Sequence, residues 1–331
     1  MTAPAVGRRV HLGEYAAPLL CAIAVIVVIA VYVWRQPLIL SPFGLTSLAN
    51  VSTALVLAAL GQTVVLLTGG LDLSIGAMIS LVDCFAATFM GHGAASIAIV
   101  SIGALLIGIA AGAVNGLVVA FGRVEPLIAT FCTLFIYAGL ALIVRPQPGG
   151  FIADPFATAL TGNWGFLPLS VLLVLGGIVF VWVPVFRSRL GRFIVAVGDN
   201  ADSGYASGVP VRAVQLSAYM LSGLFAGLAG LFLAAETTSG DPGIGGVYTL
   251  NSLAAAVLGG VSLAGGRGTA IGAILGSVLL SIILNLLSVV GISAFWQDFI
   301  EGALLILVLS LGGLRLLRAR SWIGLLGRGG S

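Results

Sequence analysis

Asp72 is the first residue that calls for a chemical role. It stands in Leu66-Leu-Thr-Gly-Gly-Leu-Asp-Leu-Ser-Ile-Gly76, with apolar runs on either side. A carboxylate in such surroundings normally faces a partner or a water-filled path, because a charge deep in hydrocarbon costs at least ~2.5–3.5 kcal/mol. Two uses are open. With Thr68 and Ser74 it can cap the helix that follows, since Asp and Ser are good N-cap residues. Alternatively its charge serves a polar passage. Gly69 and Gly70 each weaken a helix by about 1 kcal/mol relative to alanine, so they mark a break whose freed backbone groups need protein or cavity water. Asp83, in the next apolar run, raises the same question. Asp298 and Glu301, three apart near the start of the last run, suit either a helix dipole or a path.

Other chemistry is sparse. His11 and His92 lie far apart without carboxylate or thiol partners, so no metal site is expected. Cys21, Cys84 and Cys132 fall inside apolar runs at spacings that suit neither disulfides nor metal, and are expected to be buried, inert thiols. No nucleophile–base set is visible, so no catalytic residue is assigned. All 14 basic residues are arginine. Without lysine the phosphate-binding motif G-x-x-x-x-G-K-[ST] cannot form. The chain is therefore expected not to hydrolyse ATP by that route; no bound cofactor and no nucleic acid are expected either.

The elements that must hold these residues follow from composition. The 331 residues are 60% hydrophobic and 8% charged, whereas soluble domains carry about 25% charged residues. This chain belongs in a bilayer. The apolar runs are continuous, which favours helices over a barrel. At about 20 residues per crossing they divide into ten spans: 16–34, 48–67, 75–90, 94–121, 126–144, 167–186, 214–235, 250–263, 270–290 and 295–314. The third and eighth are short and adjoin glycine-rich stretches. The fold class is thus all-α and polytopic, with some spans broken. Residues 1–15 and 315–331 form terminal segments around a membrane domain over 16–314. No cleavable leader is expected, because 16–34 is longer than a typical signal core.

Charge orients this map. With the N-terminus cytoplasmic, 12 of the 14 arginines fall inside and only Arg35 and Arg145 outside, as the positive-inside rule requires. Both termini are then cytoplasmic. The outer connection 145–166 is rich in Pro, Gly and Asn and should be irregular. The inner one, 187–212, is the longest polar stretch. Glu236 and Asp241 lie in another irregular outer connection, 236–248. Trp34, Trp164, Phe295 and Trp296 suit membrane interfaces. A weak internal echo links Gly69–Gly76 with Gly259–Gly266.

LTGGLDLSIGAMISL resembles the signature of the ribose-type sugar permeases, the membrane subunits of bacterial ATP-binding-cassette (ABC) importers. The likeness continues through AGAVNGLVVAFGRVEPLIATFCTLFIYAGLALIV, where Asn115 and Pro126–Thr130 match, through GRFIVAVGDNADSGYASGVPV, and through SLAAAVLGGVSLAGGRGTAIGAILG. It implies a permease subunit in the bacterial inner membrane. Its partners would be a cytoplasmic ABC ATPase or fused double ATPase, a periplasmic sugar-binding protein, a second permease copy and membrane lipid. The stretch 191–211 would carry a coupling helix for the ATPase, formed by Gly198, Asp199, Asn200, Ala201, Asp202, Ser207 and Gly208. Asp199 or Asn200 can cap it, and Gly208-Val-Pro210 would end it. Candidates for the substrate path are Asp72, Thr68, Ser74, Asn115, Glu236 and Asn251. The last two depart from the family pattern, which has a basic residue near Glu236 and an acid near Asn251, so the sugar stays open. The alternatives are an ion-coupled secondary transporter using Asp72 and Asp83, and a permease for a nucleoside or branched-chain amino acid.

Overall fold

The computed structural model describes residues 16–293, 295–297 and 299–310. The expected terminal segments 1–15 and 315–331, with His11 and Asp298, lie outside them. The described chain is almost wholly helical. Its elements are α1 (Ala16–Arg35), α2 (Pro42–Leu67), α3 (Ile75–Phe89), α4 (Ala94–Ala120), α5 (Pro126–Val144), α6 (Asp154–Thr161), the hairpin β1 (Asn163–Trp164) and β2 (Leu167–Pro168), and α7 (Leu169–Gly176). After a π-helical turn over Gly177–Trp182 come α8 (Val183–Arg187), α9 (Arg189–Asp199), α10 (Ala201–Ala206), α11 (Val211–Thr237), α12 (Gly246–Leu258) and α13 (Ala270–Val289). Residues 299–310 are helical.

Among the described residues, seven helices are long and apolar enough to cross a membrane: α1, α2, α4, α5, the continuous run from α7 to α8, α11 and α13. Two of them form the centre. The most apolar window of α2 is 89% buried and that of α11 78%, against 17–44% for the other five. The two central helices run antiparallel: Val65 packs with Tyr219, Gly61 with Ser222 and Phe225, and Leu57 with Phe225. Close approach between α11 and α4 depends on glycine. Gly108, Gly112 and Gly116 recur every fourth residue on α4, and a Cβ at 112 would overlap the carbonyl oxygen of Tyr219. Small residues at that spacing let helices associate where lipid supplies no hydrophobic drive.

Several expectations need correction. The connection 145–166 is not irregular throughout, because Asp154-Pro155 starts α6 and a two-stranded hairpin follows; proline fits a first helical turn, where its missing N–H is no loss. The stretch 187–212 holds two helices, α9 and α10, rather than one. The eighth span runs over Gly246–Leu258, so residues 259–263 lie beyond it. Cys132 is exposed on α5, while Cys21 and Cys84 are buried. A lipid-facing surface is as apolar as a core, so composition does not tell the two apart.

One internal correspondence is plain. The long helix α2 is followed by Asp72-Leu-Ser-Ile-Gly76 and the short helix α3; the long helix α11 is followed by Asp241-Pro-Gly-Ile-Gly245 and the short helix α12. Because α2 and α11 are antiparallel, the second unit is turned over relative to the first. The echo at Gly259–Gly266 is a different feature: that turn lies against Gly69 through Gly265.

Candidate functional site

The helices α3 and α12 have 15 and 13 residues. At about 1.5 Å per residue neither traverses a ~30 Å hydrocarbon core. Each is preceded by a non-helical segment, and the two helices meet at their N-termini. A Cβ at Gly76 would overlap the carbonyl of Gly245, and one at Gly245 the carbonyl of Gly76. Segment 240–245 descends along α3 to reach this point: Gly240 lies against Ala87 and Cys84, Asp241 binds Asp83, and Gly245 binds Ser80.

Non-helical backbone inside a membrane protein must find partners for its N–H and C=O groups, and the buried polar residues supply several of them. At the first break Gly69 turns with φ +78°, a conformation that suits glycine. Asp72 has no exposed surface. Its Oδ1 accepts from the N–H of Ser74 (3.0 Å) and from the Ser74 hydroxyl (2.7 Å), and its Oδ2 accepts from the Ser222 hydroxyl (2.9 Å). Asn115 Nδ2 donates to Ser74 Oγ (2.7 Å), and the Tyr137 hydroxyl contacts Asn115 Oδ1 at 3.1 Å. Thr130 Oγ1 accepts from the N–H of Leu73 (3.1 Å), while the Tyr219 hydroxyl donates to the carbonyl of Leu71 (3.1 Å). Side chains from α4, α5 and α11 thus hold seven residues of non-helical chain.

The second break repeats the solution with other residues. The Asp241 N–H donates to Asp83 Oδ2 (2.6 Å), the Gly245 N–H to Ser80 Oγ (2.9 Å), and the Gly243 N–H to Asp241 Oδ1 (2.8 Å). Arg145, one of the two arginines that departed from the charge bias, closes the far end of α3. Its Nε donates to Thr88 Oγ1 (3.1 Å) and its terminal nitrogen to the carbonyl of Ala87 (3.3 Å). A cation is favourable at a helix C-terminus.

The expected path residues therefore divide. Asp72, Ser74 and Asn115 come together in one network. Thr68 stands apart, donating to Val65 O at the end of α2 (2.7 Å). Glu236 is exposed at the end of α11, beside a cavity of about 490 Å³. Asn251 is buried on α12 and donates to Glu301 Oε1 (2.6 Å); Glu301 thus reaches across to another helix. Tyr219 and Ser222 were missed. Their signal was a three-residue spacing that puts both on one face of an apolar helix.

The segment from α9 to α10 is also built as a unit. Asn200 caps α10, its side chain accepting from the Ser203 N–H (2.9 Å), and Ser207 and Gly208, at φ +80°, end the helix. Asp199 ends α9. Ala201, Asp202 and Tyr205 are exposed on α10. Gly198 lies against the carbonyl of Leu67 and the N–H of Gly266, so this segment rests on the end of α2, next to the first break.

A family model described as "Branched-chain amino acid transport system / permease component" matches residues 44–309. The chain belongs to this permease family. It is 33% identical to the ribose import permease protein of Escherichia coli (strain K12), over 91% of this chain and 95% of that protein. It is 30% identical to the ribose import permease protein of Bacillus subtilis (strain 168), over 92% and 95%. Against the galactose/methyl galactoside import permease protein of Escherichia coli (strain K12) the identity is 31%, over 90% and 94%. No solved structure is a significant match. The matched region of the permease family takes in both breaks, the α9–α10 segment and Asn251 with Glu301.

Proposed function

We propose that this chain is the membrane-spanning permease of an ABC sugar importer in the bacterial inner membrane. The observation that carries the reading is the likeness to ribose and galactose import permeases over nine-tenths of the chain. A separate ATPase in the cytoplasm drives it, a periplasmic binding protein feeds it, and a second permease copy completes the passage. The chain is not itself the enzyme, since it has no lysine with which to build a P-loop.

Ten crossings fit the helices: the seven long ones, α3 and α12 with their non-helical segments, and the helix over 299–310. Arg123, Arg187, Arg189, Arg192, Arg212 and Arg267 lie at the end of the bundle that carries α9 and α10; Arg35 and Arg145 lie at the other. That bias supports cytoplasmic termini. The exposed, capped α10 is the coupling helix. Movement of the ATPases passes from α10 through Gly198 to the end of α2 and the first break, and the passage opens alternately to either side.

The test is uptake of labelled D-ribose and D-galactose by vesicles carrying the permease, its ATPase and its binding protein. Accumulation that needs all three and ATP is expected. Uptake without ATP or ATPase, following an ion gradient, would overturn the importer reading in favour of a secondary transporter. ATP-driven uptake of leucine with neither sugar moving would favour the amino acid cargo in the family's description.

A further inference from the structure

We propose that the cavity at the N-terminal end of α2 is a binding site for a neutral, polyhydroxylated ligand, the first position that sugar occupies on this chain. The inference rests on the sugar reading above and assigns it a place. The cavity holds about 490 Å³, within the roughly 300–1,000 Å³ typical of small-molecule sites. Four separate elements wall it: the first turns of α2 with Phe43, Ser47 and Asn50, the end of α6 at Thr161, β1 at Asn163, and the end of α11 at Glu236.

The walls are held in place. Ser41 caps α2, accepting from the Gly44 N–H (3.1 Å), and Asn50 Nδ2 donates to the carbonyl of Thr161 (2.9 Å) and so ties α6 to α2. That bond commits the donor end of the Asn50 amide. Its Oδ1 is buried and has no hydrogen-bond partner among the described residues. That oxygen is closed off from the cavity, so Asn50 serves as a wall that joins two elements rather than as a ligand contact. The exposed Glu236 carboxylate is the acceptor open to a ligand, and it is bonded to no described residue.

These groups set the ligand class. A carboxylate acceptor without a lining arginine favours hydroxyl donors and disfavours an anion. The Ser47 hydroxyl adds a group that both donates and accepts. The exposed Phe43 ring offers an apolar face to the C–H side of a sugar ring. The site lies at the bundle end that carries Arg35 and Arg145, the outer end in the orientation proposed above. Sugar leaving a binding protein meets it before the breaks at Asp72 and Asp83.

The site is tested by thiol protection, which does not need transport. In vesicles of the full assembly, Ser47→Cys in a Cys132→Ser background is labelled by a membrane-impermeant maleimide. D-ribose or D-galactose at about ten times its dissociation constant should slow labelling about tenfold, as simple occupancy requires. Adding Glu236→Gln, an exposed and near-isosteric change, should raise the protecting concentration about tenfold through loss of a charged acceptor. Labelling unaffected by either sugar would overturn the site, as would protection by Na⁺ or Mg²⁺ alone at constant ionic strength. Protection that survives Glu236→Gln unchanged would also overturn it. Uptake measured on the same vesicles separates the two readings: protection without sugar uptake faults the importer, and uptake without protection faults only this site.

Discussion

Replacing Asp72 discriminates between a carboxylate that holds the broken backbone and one whose charge serves the passage. In Asp72→Ala three accepted hydrogen bonds disappear. The Ser222 hydroxyl can turn to the carbonyl of Ala218 four residues back, as Ser217 does to Ala213. The N–H and hydroxyl of Ser74 keep no such recourse, and two buried donors orphaned at about 1–3 kcal/mol each give a loss of about 2–6 kcal/mol. In Asp72→Asn the amide oxygen keeps both Ser74 bonds and the amide nitrogen donates to Ser222 Oγ. Charge-assisted bonds become neutral ones about half as strong, but a buried charge is removed, so the net change stays within about 1 kcal/mol. At about 2 °C per kcal/mol for a large chain, Ala lowers the midpoint by about 4–12 °C and Asn by no more than about 2 °C. The buried thiols of Cys21 and Cys84 report unfolding through a thiol-reactive dye in a Cys132→Ser background, with uptake measured in parallel. The backbone account expects Asn to transport and Ala to unfold early. An Asn variant as unstable as Ala would refute it, and so would a stable Asn variant that carries no sugar.

Gly112→Leu should abolish stable folding, since even a Cβ there meets the carbonyl oxygen of Tyr219; a monodisperse variant in detergent with a wild-type melting point would contradict the α4–α11 crossing. Gln62 is fully buried with neither amide atom bonded, so Gln62→Leu should raise the melting point by relieving about 1–3 kcal/mol of unmet polarity, and a lower midpoint would refute that. Asn200→Ala should cost α10 about 1 kcal/mol of capping while leaving the exposed helix's removal invisible to the membrane core. The expected reading is normal insertion, an unchanged melting point and weakened stimulation of ATP hydrolysis by the loaded binding protein.

The all-helical class and the position of the first break were legible because glycine, charge and apolar run length each act locally, whereas the second break, at 240–245, was read as an outer connection. The cap at Asn200 and the stop at Gly208 were legible for the same reason. Partners far apart in the chain were not. Nothing near Asp83 announces that its carboxylate receives the N–H of Asp241, 158 residues on, because the requirement arises from backbone that only the fold brings alongside. The internal correspondence was misread likewise: shared glycines drew attention to 259–266, whereas the true counterpart of 72–76 keeps only its aspartate, isoleucine and final glycine. Asn251 was picked out on resemblance, yet its link to Glu301 depends on how the last helix crosses α12.

At the end of the bundle that carries α9 and α10, Gly198, Gly265 and Gly69 meet with main chain against main chain, the carbonyl and Cα of Gly198 lying beside Gly265 and the N–H of Gly69 beside it in turn. Side chains in a joint act as springs: they change rotamer and absorb displacement. A joint without side chains has no such slack, so a small push on α9 arrives at the segment before Asp72 almost undiminished. Its tolerance is correspondingly narrow. One methyl group at Gly198 would act as a shim, holding the joint open and leaving two sound parts that no longer move together.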